Sequence, residues 1–292
     1  MTGPHELHYT EWGDANSSRV VVCAHGYSGN ARDFDYLARQ LAGEARVLAI
    51  DFPGRGDSQW LSSMEYNFGQ FLADARTLIA QLDAREVDWI GTSMGGLLGM
   101  MLASQASSPI RRLVMNDVGA FLPAEALRAI SHNLEAPESF PDLAAVEAWL
   151  RRSRAQWGPI GDAEWREMAR HQSRPLRPGA AELRLHYDPR IARVARPLPL
   201  SPGLFFWDSW YRVRCPVLLM RGESSGVLPA SVAKTMVDVR PDAQLVEVPG
   251  CGHVPSLMTE SHVTLVRNFL HHGEVPSREA RLEQTSIPAR AA

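Results

Sequence analysis

A serine framed by glycines stands at Gly91-Thr92-Ser93-Met94-Gly95. The G-x-S-x-G spacing suits a nucleophile elbow, a sharp strand-to-helix turn that lifts a serine out at the top of a parallel sheet. Flanking glycines accept the backbone angles of such a turn and let strand and helix approach closely. A serine at a helix N-terminus also faces free N–H groups and the positive end of the helix dipole, which favour a developing negative charge. The surroundings have the character this needs. Val87, Trp89 and Ile90 before it are apolar, β-branched or aromatic, while Leu97, Leu98, Met100, Met101, Leu102 and Ala103 suit a helix. A hydroxyl is a weak nucleophile until a base takes its proton, and histidine, with a pKa near about 6.5, is suited to that at neutral pH.

The elements around the serine read as alternating strands and helices. Glu6 to Trp12 alternates weakly as a first strand, and Val20 to Ala24 is a fully apolar run that reads as a buried strand. Helix spacing follows from about Asp33 to Leu41. Arg46 to Ile50 is the next strand, closed by the Pro- and Gly-rich turn Asp51 to Ser58. This turn reads as structural support for the elbow, with Arg55 and Asp57 paired or solvated. Phe68 to Leu82 is amphipathic at helical period. Leu113 to Met115 is another buried strand, ending at Asn116-Asp117-Val118-Gly119. This rhythm predicts an α/β fold, a mostly parallel sheet with right-handed crossovers. Between Phe121 and Val213 it breaks, with helical stretches at Pro123–Leu134, Asp142–Arg154 and Asp162–His171, frequent prolines and no buried strand. A long helical insertion between sheet strands reads as a lid over the strand ends. Val217 to Met220 resumes the sheet, Ser231 to Val239 is helical, Leu245 to Val248 is the last strand, and Thr264 to Leu270 is a closing helix. The expected division is a core of 1–120 and 214–272, a cap of 121–213, and a polar, mobile tail of 273–292.

Composition narrows the classes of partner. Thirty Lys and Arg against 33 Asp and Glu give a formal charge of -3, so no global field favours nucleic acid or an anionic membrane, and small neutral substrates suit the balance. The first residues lack the basic-then-apolar order of a signal peptide, and no apolar run approaches the roughly 20 residues of a membrane span. Cys23, Cys215 and Cys251 are an odd count without metal-type spacing. They read as free thiols in a reducing cytoplasm. Neither a metal nor a cofactor is expected, and the oligomeric state is left open.

Four ordered motifs carry a resemblance: His25-Gly26, then Asp51-x-Pro-Gly-x-Gly-x-Ser58, then Gly-x-Ser93-x-Gly-Gly, then Gly-x-Gly-His253. The chain resembles the α/β-hydrolase superfamily over Val20–Gly119 and Pro216–Leu270. The resemblance implies a sheet of about eight strands with the cap inserted after the sixth. It makes Ser93 the nucleophile and His253 the general base, because the superfamily carries its base in the loop after the last strand. It places the oxyanion hole on the backbone N–H groups of Tyr27 and Met94, whose side chains could also line the pocket. The third triad member departs from the pattern. The usual Asp is missing from Gly222-Glu223-Ser224-Ser225-Gly226, and neither Ser225 nor Gly226 can stabilise an imidazolium as a carboxylate does. Asp117, at the end of the preceding strand, is the favoured substitute. Glu223 and a slower Ser-His dyad stay as alternatives.

Serine at the elbow argues against the epoxide hydrolases and haloalkane dehalogenases, which need Asp there. Val254 after His253 argues against carbon-carbon bond hydrolases, which usually carry Trp. Hydrolysis of a small or medium apolar carboxylic ester, lactone or thioester remains. The aromatic run Leu204 to Tyr211 is the expected pocket wall, with Trp149, Trp157 and Trp165 as further lid aromatics. A ligand-binding protein with a decayed triad, or a lyase or perhydrolase on the same serine and histidine, are the competing readings.

Overall fold

The computed structural model describes residues 3–134, 136–194 and 201–275. The expected tail lies outside these residues beyond Val275. Seven strands form the central sheet among the described residues: β1 (Tyr9–Trp12), β2 (Val20–Ala24), β3 (Arg46–Ile50), β4 (Val87–Thr92), β5 (Ile110–Asn116), β6 (Val217–Gly222) and β7 (Gln244–Val248). Their spatial order is β1-β3-β2-β4-β5-β6-β7, with β1 antiparallel to β3 and every other pairing parallel. The sheet is thus one strand short of the expected eight. Before β1 the backbone is tied to the turn after β3 and not to a further strand. Glu6 N–H goes to the side chain of Gln59 at 3.0 Å and His8 N–H to Ser58 Oγ at 2.8 Å, both in the turn after β3.

Both faces of the sheet are covered, as near-continuous apolar strands require. Val20, Val22 and Ala24 of β2 pack into one core cluster while Val21 and Cys23 pack into the other. The helices fall close to the sequence expectation: Asp35–Leu41, Phe68–Gln81, Met94–Ala103, Ala230–Val239 and Glu260–His272. Between β5 and β6 lie helices Ala124–Asn133, Leu143–Ser153 and Asp162–His171. That stretch also holds two short antiparallel pairs, Phe121–Pro123 with Gly203–Phe205 and Ser173–Pro175 with Leu183–Leu185. Each strand is three residues long and only partly buried, too short for alternation to be read from sequence. Among the described residues, no helix is long and apolar enough to cross a membrane.

Two core histidines make the fold acid-sensitive. Burial pushes both His25 and His262 down to about 4, and His262 Nδ1 has no hydrogen-bond partner among the described residues. In the unfolded chain both return to about 6.5. Below that value the unfolded state binds protons that the folded state refuses, so stability is full above about pH 6.5 and falls as pH drops toward 4. The expected loss at pH 5 is about 2 kcal/mol for each histidine. Urea midpoints at pH 7.5 and 5.0 measure it, and His262→Gln should shrink the difference. Equal midpoints at the two pH values would contradict the burial effect.

Candidate active site

β4 and the helix Met94–Ala103 meet at Ser93, which adopts φ 50° and ψ −113°, a strained conformation for a non-glycine residue. The elbow is fixed on both sides. Ser93 N–H donates to Asn116 O at 2.9 Å, continuing the β4–β5 ladder, and Ser93 O accepts from Gly96 and Leu97 N–H. The close approach explains the glycines. A Cβ on Gly91 would lie 2.2 Å from Gly95 O, and one on Gly95 would lie 2.0 Å from Ala24 O, so any side chain would force strand and helix apart.

His253 and Asp117 meet this serine from distant parts of the chain. His253 Nε2 is 3.1 Å from Ser93 Oγ, and His253 Nδ1 is 2.7 Å from Asp117 Oδ2. Asp117 is fully buried and follows β5 in a left-handed conformation, φ 57°, which Asp tolerates better than most residues. Its N–H donates to Met220 O at 2.8 Å, so the end of β5 is held against β6. The carboxylate is saturated. Oδ1 accepts the Gly222 N–H at 2.8 Å, and Oδ2 accepts the Ser225 hydroxyl at 2.6 Å beside the histidine. Ser225 Oγ itself accepts from the N–H groups of Val227 and Leu228, which leaves its proton free to point at Asp117. With Nδ1–H donating to a carboxylate, Nε2 is left as acceptor for the Ser93 hydroxyl. Glu223 is engaged elsewhere, accepting the Gly250 N–H at 3.0 Å. Of the two carboxylates considered from sequence, Asp117 is the one brought to His253. Ser225 is the residue that sequence reasoning passed over. Its signal was a hydroxyl donor in the loop that lacked the usual acid.

The loop after β2 lies against the elbow, since a Cβ on Gly26 would sit 3.7 Å from Ser93 Cβ. Three buried groups shape that loop. His25 Nδ1 donates to Gly26 O at 2.6 Å and its Nε2 accepts the Phe52 N–H at 3.0 Å, so the ring is neutral and ties this loop to the turn after β3. Arg55 is wholly buried, donating to Tyr27 O at 2.9 Å and Pro53 O at 2.8 Å, with its guanidinium over the rings of Tyr27, Tyr66 and Phe71. Burial lowers its pKa to about 10, which leaves it cationic at neutral pH. The expectation that Arg55 is paired with Asp57 or solvated is corrected: Asp57 is exposed beside His186, and Arg55 holds the loop that carries Tyr27. Arg55→Met strands two buried carbonyls and should cost about 3 kcal/mol of stability. Urea denaturation checks this, and a loss below about 1 kcal/mol would contradict it.

Ser93 and His253 open into a cavity of about 110 Å³, small beside the usual ligand site. Tyr27 lines it, and its hydroxyl donates to Ile191 O at 3.0 Å. Met94 does not: its side chain is buried in the core. The insertion contributes Ile130, Leu134, Trp149, Arg154, Trp157 and Tyr187. The expected wall, Leu204 to Tyr211, supplies none of the lining. Pairing of Gly203–Phe205 with Phe121–Pro123 directs this run elsewhere, so that Phe205 stacks on Phe121 with 62% exposure. Trp210 is buried instead, its indole N–H donating to Met236 O at 3.1 Å. Trp165 is likewise packed, under Arg151.

One other group of polar side chains is close-set: His8, Asp51 and Asp57 have potential ligand atoms within 4.8 Å of one another. The Asp51 oxygens are already occupied, by Ala31 N–H at 2.6 Å, Asp57 N–H at 3.1 Å and His8 Nδ1 at 2.8 Å. Burial would raise its pKa, but these hydrogen bonds outweigh it and hold the carboxyl below its ordinary range. This is the turn support expected of Asp51. Cys23 and Cys251 are buried free thiols, and Cys215 is partly buried and also free.

Comparison with known proteins extends the geometry. The sequence pattern of the Alpha/beta hydrolase family matches residues 21–267. The chain is 38% identical over 273 residues to the 3-hydroxybutyrate-oligomer hydrolase of Cupriavidus necator, covering 91% of this chain and 93% of that one. It is 26% identical over 271 residues to the pimeloyl-[acyl-carrier protein] methyl ester esterase of Neisseria meningitidis, covering 87% of this chain and 94% of that one. Among solved structures, an alpha/beta hydrolase from Novosphingobium aromaticivorans superposes with a TM-score of 0.81 at 32% identity, over 91% of this chain and 94% of that one. A seven-stranded sheet with a serine elbow, matched along nearly its whole length by these relatives, makes this chain a member of the Alpha/beta hydrolase family.

Proposed function

We propose that the protein hydrolyses a carboxylic ester through an acyl-enzyme on Ser93. The observation that carries this reading is the continuous chain Ser93–His253–Asp117, with contacts of 3.1 and 2.7 Å, opening on one cavity. In the proposed reaction Ser93 Oγ attacks the ester carbonyl while His253 Nε2 takes the hydroxyl proton. The oxyanion accepts hydrogen bonds from the backbone N–H groups of Tyr27 and Met94. Asp117 holds the ring in the tautomer that leaves Nε2 free and stabilises the imidazolium that forms. His253 returns the proton to the departing alkoxide, then activates the water that releases the acid and restores Ser93. The insertion, 121–213, acts as a lid whose Ile130, Leu134, Trp149 and Trp157 enclose an apolar acyl chain. Of the relatives named above, one is by name a methyl ester esterase and another an oligomer hydrolase, which supports ester hydrolysis here. The ligand-binding alternative rested on a missing acid, and the 2.7 Å contact of Asp117 with His253 favours the enzyme reading over it. Release of p-nitrophenol from short-chain p-nitrophenyl esters tests the reading, and no hydrolysis of neutral or carboxylate-bearing esters together with a Ser93 unreactive toward a fluorophosphonate would overturn it.

A further inference from the structure

Arg154, the residue that ends helix Leu143–Ser153, lines the same cavity as Ser93 and His253 and is only 8% exposed. A guanidinium has five N–H donors and stays charged, so a buried one ordinarily faces several oxygen acceptors. Arg55 faces two, the carbonyls of Tyr27 and Pro53, although its Nη2 has no partner among the described residues. Arg154 differs. Among the described residues its guanidinium hydrogen-bonds only the Met168 sulfur, at 2.9 Å from Nη1, and sulfur is a weak acceptor. It lies over the Trp157 ring, 4.5 Å from the centroid. The nearest carboxylate oxygen, Asp33 Oδ1, is 3.9 Å from Nη1 and already accepts from Gln172 Nε2 at 2.6 Å. The charge is therefore compensated at a distance while its donors lack oxygen partners, inside the cavity that must admit the substrate of Ser93.

We infer that Arg154 is a carboxylate-binding subsite, and that the substrate of this hydrolase is an ester carrying a free carboxylate close to the scissile bond. This rests on the ester hydrolysis proposed for Ser93. A carboxylate presents two oxygens to the planar guanidinium fork and forms short charge-assisted hydrogen bonds with it. A neutral chain in the same place leaves those donors buried and unpaired, which a polar site rejects. Asp33 compensates the guanidinium while the site is empty.

Two substrate pairs test this and tell which side of the ester bears the charge. In 3-acetoxybutanoate against 3-acetoxybutanamide the carboxylate is on the alcohol side. In the mono-p-nitrophenyl ester of glutarate against p-nitrophenyl 4-carbamoylbutanoate it is on the acyl side. In at least one pair, kcat/KM for the carboxylate should exceed that for the amide by about 10- to 100-fold. Arg154→Met should bring that ratio to about one while Arg154→Lys keeps part of it. No preference in either pair, or a preference that survives in Arg154→Met, would overturn the subsite. Should that variant fail to fold, Asp33→Asn replaces it: removing the nearby anion should raise the ratio, and an unchanged ratio would count against Arg154. Failure of the underlying ester reading looks different, with neither member of a pair hydrolysed and Ser93 unreactive toward a fluorophosphonate.

Discussion

Ser93→Ala should lower kcat toward short-chain p-nitrophenyl esters by about 10⁶-fold, the scale seen when a serine hydrolase loses its nucleophile. Few other changes to this chain would do so much with so little disturbance. Ser93 sits at φ 50° and its backbone carries the elbow, through Asn116 O on one side and Gly96 and Leu97 N–H on the other. Alanine keeps all of those backbone bonds and removes one oxygen, so the urea midpoint should stay nearly constant. What remains is binding and the backbone oxyanion donors, which in such enzymes leave about 10³–10⁴-fold over water. Activity within about tenfold of the parent would remove the serine from the mechanism.

Asp117→Asn should lower kcat by about 10⁴-fold, and the hydrogen bonds explain why. Oδ1 faces the Gly222 N–H, a donor, so an asparagine must put its carbonyl oxygen there. Its NH₂ group then falls at the position of Oδ2, facing His253 Nδ1. A donor at that point forces Nδ1 to be the acceptor and moves the ring proton to Nε2, where the histidine can no longer take the proton of Ser93. The Ser225 hydroxyl, which donates to the same oxygen, must turn away as well. Glu223→Gln should leave kcat within about threefold, because among the described residues its carboxylate accepts the Gly250 N–H, away from His253. A crippled Glu223→Gln beside an active Asp117→Asn would reverse the assignment.

Sequence made the elbow and the position of His253 legible because both are local. G-x-S-x-G needs only a strand before it and a helix after it, and His253 follows directly on the last strand. The acid was harder, since its identity depends on which strand ends become neighbours. Met220 pairs with Asn116 across β5 and β6, and that register sets Asp117 beside the loop from Gly222 to Leu228. Sequence could offer Asp117 only as the favoured candidate and could not foresee Ser225 donating to it from 108 residues away. The pocket wall was misread for a different reason. Leu204 to Tyr211 has the aromatic content of a pocket wall, but the antiparallel pairing with Phe121–Pro123 turns it away from the cavity, and pairing of three-residue strands leaves no periodic trace. Arg55 reads from sequence as paired or solvated, and Arg154 attracts no reading as a site residue, because arginine is ordinarily a surface residue. A net charge of -3 suggested neutral substrates, but a sum over the whole chain says nothing of one guanidinium inside a cavity.

The decisive measurement is peptide mass spectrometry after reaction of the purified protein with a fluorophosphonate. One phosphonyl group per chain should be found, on the peptide containing Ser93. Labelling should vanish in Ser93→Ala and slow strongly in Asp117→Asn. Ester turnover by a protein whose Ser93 stays unmodified, or a stoichiometric adduct on another residue, would contradict an acyl-enzyme at the elbow.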